Sequence, residues 1–319
     1  YGKAFKVRSK ALIYAAGCRE RNRFEIWIMG DRPSGVYTAG EAQTLMDLYG
    51  VLLGRSAVIV GSGDVGLILA RRLVLEGAKV KAVVEVLPYP GGLTRNVVQC
   101  LQDFSIPLLL CHAVTRVKGA KRVEAVELAK VDGNLNPVAG TEFEIKCDTL
   151  IVAAGLIPRS ELLERNGALM DPSTKGPVVN DHLETSLSGV FAAGNVLVVN
   201  DLVDYAAEQG ETAAKNAVKF VAERGFPSAK YSPVVLGRNV RLVVPQLVGG
   251  LNDTVFYGRA HAPEDDVKLT FHEAKKCFKL TKVRPSEMFR VKLSKKELSE
   301  VKGNKLTISI KKAKGRERE

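Results

Sequence analysis

No run in this 319-residue sequence approaches the roughly 18 consecutive apolar residues that a membrane-spanning helix needs. The longest candidate, Val190 to Val199, is interrupted by Gly194 and Asn195, so no membrane span is expected. Cysteine is sparse and scattered: Cys18, Cys100, Cys111, Cys147 and Cys277 contain no C-x-x-C pair. An odd, dispersed set argues against a disulfide framework or a metal cluster and for a reducing, cytoplasmic setting. Such cysteines read as small apolar filler. The four histidines, His112, His182, His261 and His272, show no ligand spacing, so no metal is expected and none is assigned a role. Heptads and long repeats are absent. So is a readable signal peptide, because Tyr1 opens inside what reads as folded sequence, without an initiator Met. That start implies a fragment or a processed product.

What is present is ordinary for a soluble globular protein: 46% apolar and 26% charged residues. The length suggests about two domains. The formal net charge of +12 is uneven. Residues 226 to 319 hold 21 Lys plus Arg against 10 Asp plus Glu, a net +11, so the first 225 residues carry about +1. A break of this kind marks a domain boundary and a candidate docking module for an acidic partner. The basic stretch lacks interleaved aromatics or a known motif, so no nucleic-acid partner is expected despite a pI near 9.4.

The strongest signal is AVIVGSGDVGLILARRLVLEGAKVKAVVE, residues 57 to 85. Ala57 to Val60 predicts a buried strand. Gly61, Gly63 and Gly66 stand at G-x-G-x-x-G spacing around Ser62, Asp64 and Val65, and an apolar-rich helix closed by Gly77 follows. Lys79 to Val84 is a second strand ending at Glu85. Gly61 allows a tight turn, Gly63 lets a pyrophosphate approach the backbone, and Gly66 lets helix and strand pack closely. The helix N-terminus would face the phosphates with free N–H groups and a favourable dipole. Glu85, about 20 residues on, would accept hydrogen bonds from an adenosine ribose. These tests together favour a nicotinamide dinucleotide, NAD(H), over a glycine-rich turn that binds nothing.

Elsewhere, three strands end in Ala-Ala-Gly: Ala15-Ala16-Gly17, Ala153-Ala154-Gly155 and Ala192-Ala193-Gly194, the last followed by Asn195. Small residues at strand ends let a cofactor or a neighbouring backbone come close. Lys10 to Tyr14 reads as a strand, Cys18 to Arg23 as a polar loop and Glu41 to Leu53 as a helix ending at Gly54. Pro88 to Gly92 is a loop, Leu93 to Phe104 a helix and Ile106 to Cys111 a strand. Val114 to Val131 and Phe143 to Lys146 read as antiparallel strands around Asp132-Gly133-Asn134. A helix spans Asp204 to Arg224, with Tyr205 at its start. From Pro227, strands are expected at Val240 to Pro245, Val267 to Phe271, Phe289 to Leu293 and Leu306 to Ile310, then a disordered tail, KKAKGRERE.

The order strand-AAG, GSGDVG, LIVAAGLIPR and GVFAAGN resembles the flavoprotein oxidoreductases of the pyridine nucleotide-disulfide oxidoreductase superfamily, across essentially the whole chain. YTAGEAQTLMDLYG, PGGLTRNVVQCLQDFSIPL, RLVVPQ and PSEMFRVKL are similar to the subgroup accompanying glycerol-3-phosphate dehydrogenase or dye-linked amino-acid dehydrogenase subunits. The resemblance implies an α/β fold: a Rossmann-like NAD-binding domain (54–148) inserted in a partial FAD-binding domain (1–53 and 149–225), with a small β-rich C-terminal domain (226–319). It further implies FAD beside NAD(H), with Ala15 to Gly17 and Ala153 to Gly155 at the domain crossovers, and with Gly194, Asn195 and Tyr205 facing the flavin. Three departures bear on this. The family's first glycine loop, for the FAD adenosine diphosphate, has no counterpart here, so the FAD site is expected to be incomplete, and FAD binding by this chain alone weak or absent. Asn195 stands where the family has aspartate. The missing C-x-x-C argues against thiol–disulfide chemistry. The implied activity is hydride transfer between NAD(H) and FAD, with electrons passing to a partner subunit or small-molecule acceptor. The alternative is a non-catalytic nucleotide-binding scaffold. A dehydrogenase subunit, the missing N-terminal half or a second copy of the chain would cover the open sheet edge.

Overall fold

The computed structural model describes residues 4, 6–226, 230–299, 301 and 305–313, so Tyr1, Pro227 and residues 314–319 of the tail lie outside it. The chain forms two compact units, Glu20–Leu156 and Tyr1–Arg19 with Ile157–Glu319. No helix among the described residues is long and apolar enough to cross a membrane.

The unit Glu20–Leu156 is built on a five-stranded parallel sheet in the order Val36–Thr38, Thr149–Val152, Ser56–Val60, Lys79–Glu85 and Leu108–Leu110. Its central strands are apolar on both faces because both faces are covered. Ala57, Ile59, Val83 and Ile151 pack against Leu67, Leu69, Ala70 and Leu73 of the helix Asp64–Leu75 and against Ala39, Ala42 and Met46 of the helix Ala39–Tyr49. Val58, Val60, Val84, Leu150 and Val152 point the other way, onto Val114, Val117, Val126 and Leu128 of a meander. That meander is antiparallel, His112–Lys118, Ala125–Lys130 and Phe143–Lys146, with Met29–Gly30 parallel on its edge.

Several local expectations are corrected. The stretch Val114 to Val131 is two strands, because the chain reverses at Gly119, where φ is +149° and an added Cβ would lie 2.1 Å from the Arg122 carbonyl oxygen. The helix expected over Glu41 to Leu53 runs Ala39–Tyr49. Thr38 and Glu41 form a reciprocal capping box at its start, and Gly50 ends it in the left-handed conformation at φ +62°. Gly54 is no cap: its Cβ would meet the Thr149 hydroxyl at 2.2 Å. Residues 93 to 104 hold a short α-turn, Thr94–Val97, that passes into a π-helical turn, Val98–Gln102. Cys18–Glu20 is a strand and Arg23–Ile26 a 3₁₀ turn capped by Asn22, where a polar loop is expected.

In the other unit, Leu12–Tyr14 pairs in parallel with Val190–Ala192, and the 20-residue helix Val203–Ala222 packs Ala213 and Ala217 into the same core. The C-terminal stretch is β-rich. It has a five-stranded sheet in the order Leu247–Val248, Ser232–Leu236, Leu306–Lys312, Glu264–Phe271, Lys276–Val283, and an antiparallel sheet Val240–Val244, Thr254–Ala260, Met288–Leu293. Lys311 and Lys312 belong to the last long strand, and the Ala313 N–H donates to the Asp266 carbonyl at 2.7 Å, so this part of the expected disordered tail is ordered. Leu242, Val244, Tyr257 and Met288 share one core with Phe191, Val196, Leu197 and Ala213.

Polar ties reinforce that core. Glu208 on the long helix accepts from the Tyr257 hydroxyl at 2.5 Å and from Arg290 Nε at 2.7 Å. The hydrogen bond from Arg290 holds the Glu208 carboxyl below its usual range, against a smaller opposing effect of burial. A depressed carboxyl adds stability that is present above the unfolded pKa and is lost as pH falls through the folded one. The melting temperature should therefore fall as pH drops from about 5 to 3. Glu208→Gln should cost about 1 kcal/mol at pH 7 and flatten part of that acid limb. An acid limb identical in the variant, read by scanning calorimetry, would remove Glu208 from the account.

Candidate functional site

The glycine loop lies where the strand Ser56–Val60 passes into the helix Asp64–Leu75. Its three glycines differ in what surrounds them. Gly61 has φ +99°, and an added Cβ would sit 2.3 Å from the Ala153 carbonyl oxygen. At Gly66 a Cβ would meet the Gly61 carbonyl oxygen at 2.4 Å and Ala153 Cβ at 3.1 Å. At Gly63 it would meet nothing within 4 Å. So two glycines are required by the protein's own packing, and the middle one borders open space. The helix behind it starts at Gly63 with no side-chain cap, which leaves its first N–H groups to another acceptor. Val65, in the first turn, is exposed.

Glu85 is buried at the end of the neighbouring strand, 8% exposed. Its Oε2 accepts from the Ser62 N–H at 3.0 Å and the Ser62 hydroxyl at 2.6 Å, and its Oε1 accepts from the Leu87 N–H at 3.0 Å. A carboxylate offers about four acceptor sites, so one remains for a ribose hydroxyl. The loop after this strand is fastened over the same region. The Gly91 N–H donates to Ser62 Oγ at 2.8 Å. The Leu93 N–H and Asn96 Nδ2 donate to Asp64 Oδ1 at 2.8 and 2.7 Å. A Cβ at Gly92 would press on the ends of the Leu67 and Asp64 side chains, at 2.6 and 2.9 Å, so the loop lies close against the helix.

The three Ala-Ala-Gly segments separate by unit. Residues 15–17 and 192–194 lie side by side at the ends of paired parallel strands, Tyr14 opposite Ala192, with the Ala193 N–H donating to the Tyr14 carbonyl at 3.3 Å. Ala153 to Gly155 follow the strand beside the glycine loop in the other unit, and the small Ala153 is what Gly61 and Gly66 pack against. Gly17, Gly155 and Gly194 have φ of +71°, +89° and +73°, with open space where a Cβ would be. Backbone conformation, not a crowding neighbour, requires glycine at these ends.

Around Gly194 runs a polar chain. Its N–H donates to Gln209 Oε1 at 3.0 Å, and Gln209 Nε2 donates to Asn200 Oδ1 at 3.0 Å. Asn195 Oδ1 accepts from Asn200 N at 3.0 Å and Asn200 Nδ2 at 3.3 Å, while Asn195 Nδ2 reaches Cys18 Sγ at 3.5 Å. Both lone pairs of that amide oxygen are therefore taken, and Asn195 can meet a ligand hydroxyl only with an N–H. Tyr205 stacks at a tilt on Tyr257, 5.7 Å between centroids, at the start of the long helix, which likewise has no side-chain cap.

A family model described as pyridine nucleotide-disulphide oxidoreductase matches residues 1–210. The chain belongs to this family. Members of this family bind FAD and NAD(P). Among relatives, dihydrolipoyl dehydrogenase of Pseudomonas aeruginosa is 33% identical over 168 residues, 51% of this chain and 34% of the relative. The sarcosine oxidase subunit alpha of Rhizobium meliloti is 30% identical over 222 residues, 69% of this chain and 20% of the relative. Among solved structures, the thioredoxin reductase of T. acidophilum superposes with a TM-score of 0.56 at 24% identity, covering 67% of this chain and 66% of that one. That likeness bears on the fold. The chain spans only 34%, 36% and 44% of the lengths of three curated relatives.

The donor set fits the family's nicotinamide nucleotide: open space over Gly63, an uncapped helix start and a carboxylate with acceptor capacity left. Sequence reasoning missed Asn96, Asn200 and Gln209, which tie these loops together. The adjacent pair Gly91-Gly92 was the only local sign that the following loop comes close to the glycine loop.

Proposed function

We propose that this chain contributes the nicotinamide-binding and flavin-facing parts of an FAD/NAD-dependent oxidoreductase. When bound, the two cofactors supply the hydride chemistry; the chain supplies position and electrostatics. In this reading residues 54–148 form the NAD-binding domain, 1–53 with 149–225 belong to the FAD side, and 226–319 dock a partner. Gly61, Gly63, Gly66 and the start of the helix Asp64–Leu75 hold the pyrophosphate. Glu85 holds the adenosine ribose, with Ser62 fixing its carboxylate. Gly17, Gly155, Gly194, Asn195 and Tyr205 border the rings and the ribityl chain. No general acid or base is assigned, since hydride transfer needs none. Electrons would pass to another subunit, as in the subgroup accompanying glycerol-3-phosphate or amino-acid dehydrogenase subunits, or to a small-molecule acceptor. The relative named as a subunit of sarcosine oxidase supports a multi-subunit setting.

The observation that carries this reading is the contrast at the glycine loop: Gly61 and Gly66 crowded, Gly63 open. The non-catalytic scaffold is favoured by one feature, the Asn195 oxygen already spent on Asn200. Calorimetric titration with NADH and NADPH tests the first reading. The Glu85 carboxylate, followed by Val86 and Leu87 rather than Arg, disfavours a 2′-phosphate by about 1–3 kcal/mol, on the scale of a hydrogen bond to a charged group. NADH should bind roughly 5- to 150-fold tighter. NADPH binding as well or better sinks the assignment of Glu85. The visible spectrum of the purified complex, with or without a stoichiometric flavin band, decides between enzyme and scaffold.

A further inference from the structure

Away from the glycine loop, the unit Glu20–Leu156 has a cavity of about 300 Å³ that neither cofactor reading uses. Its lining includes Arg23, Phe24, Arg32, Val36, Tyr37 and Val152. Arg23 is the unusual member. It is only 7% exposed, and its Nε has no hydrogen-bond partner. Its Nη2 reaches the carbonyls of Met29 and Gly30 at a long 3.4 Å each. Among the described residues no carboxylate lies within ion-pair distance of it. A second cation stands nearby: the guanidinium carbons of Arg23 and Arg32 lie 4.8 and 5.6 Å from the centroid of the Phe24 ring. Burial first, and then the charge of Arg32, lowers the pKa of Arg23, against a smaller opposing effect of the Asp31 carboxylate.

A buried guanidinium with no carboxylate in direct contact is costly, because it gives up hydration and receives only the longer-range attraction of Asp31 in return. The ring of Phe24 returns part of that cost as a cation–π contact. It leaves Nε, at one edge of the planar N–H fork, without an acceptor. That fork fits a carboxylate or a phosphate in two parallel hydrogen bonds. Of the remaining walls, Phe24, Val36, Tyr37 and Val152 are apolar or aromatic, while Thr38 and Glu41 are polar, the Glu41 carboxylate being engaged by the Thr38 N–H in the helix cap.

We infer that this cavity is a binding site for a small organic anion, whose carboxylate or phosphate group sits on Arg23 with Arg32 at its side and whose apolar body lies against Phe24, Tyr37 and Val152. The site is separate from the dinucleotide loop and stands whether or not the nicotinamide reading does.

The single tryptophan, Trp27, directly follows the turn Arg23–Ile26 and is 76% exposed, which makes it a local reporter. The whole chain is titrated with benzoate and with inorganic phosphate at constant ionic strength, by calorimetry and by Trp27 fluorescence. Saturable 1:1 binding of at least one probe is expected, and the tighter of the two assigns the anion as a carboxylate or a phosphate. Arg23→Gln and Arg32→Gln should each weaken it about 10-fold or more. Arg32 is exposed, so its variant keeps the test decisive if Arg23→Gln fails to fold. Saturating NAD⁺ should leave the affinity unchanged. Absence of saturation with both probes, equal affinity in Arg32→Gln, or one-for-one displacement by NAD⁺ would each overturn the inference.

Discussion

Gly63→Ala is expected to weaken NADH binding by more than 10-fold while moving the melting temperature by no more than about 2 °C, whereas Gly61→Ala lowers the melting temperature of the unit it belongs to by about 10 °C. Gly63 has φ −65°, ψ 164° and open space at its Cβ position, so alanine fits the folded backbone. Its methyl group would occupy the gap through which a pyrophosphate reaches the helix start, and losing one charge-assisted hydrogen bond there costs roughly 1.5–3 kcal/mol. At Gly61 alanine faces both a φ of +99° and a backbone oxygen 2.3 Å from its Cβ. Left-handed strain of about 1–2 kcal/mol and overpacking of about 1–3 kcal/mol add to on the order of 3 kcal/mol, near 10 °C in melting temperature for a unit of this size. Calorimetric titration and thermal melts of both variants read the two effects separately. Wild-type NADH affinity in Gly63→Ala sinks the dinucleotide assignment; a wild-type melt in Gly61→Ala removes the packing account of the loop.

The second large effect concerns residues 226–319. Ending the chain at Gly225 is expected to abolish cooperative folding of the unit that contains the helix Val203–Ala222. The deletion removes Leu242, Val244, Tyr257 and Met288 from the core around Phe191, Val196 and Leu197. It also strips Glu208 of Tyr257 and Arg290, and Asp201 of Arg259. Each large apolar side chain lost from a core costs about 2–5 kcal/mol, so four of them reach the whole stability of a typical domain, about 5–15 kcal/mol. The truncated chain should lose near-ultraviolet circular dichroism and bind a hydrophobic dye. A truncated chain that melts cooperatively at the parent temperature would show that 226–319 is a detachable module. In that event its net charge of +11 would act through docking alone. In the intact chain both roles are compatible, because most of the described Lys and Arg there, Arg259 apart, stand on exposed or half-exposed positions while the strands' apolar faces fill the core.

Much of the fold was legible in local sequence. The strand Ala57–Val60, the helix after it, the strand ending at Glu85 and the strand Thr149–Val152 stand within a residue or two of their expected limits. Their signals are strong because a parallel strand covered on both faces must be apolar throughout, and a tight strand-to-helix turn admits only glycine at fixed spacing. The C-terminal strands were half legible. Four were anticipated, but Thr254–Ala260 is nearly fully buried and so lacks an alternating pattern. Lys276–Val283 alternates over its first six residues, but Phe278, Leu280 and Val283 are interspersed with Lys276, Lys279 and Lys282, which weakens the apolar pattern.

What the sequence determined by itself, then, is the family, the parallel sheet and the glycine loop, all of which depend on residues close together in the chain. The tertiary structure alone decided which acceptors are already in use. Glu85 is partnered by Ser62, 23 residues away, and Asn195 by Asn200 and Cys18, the latter 177 residues away. It also decided that Arg23 is buried with its Nε unpartnered and that the basic C-terminal strands complete a core begun before residue 225. Hydrogen-bond satisfaction and burial are properties of chain segments brought together by folding, and no local pattern of residue types encodes them.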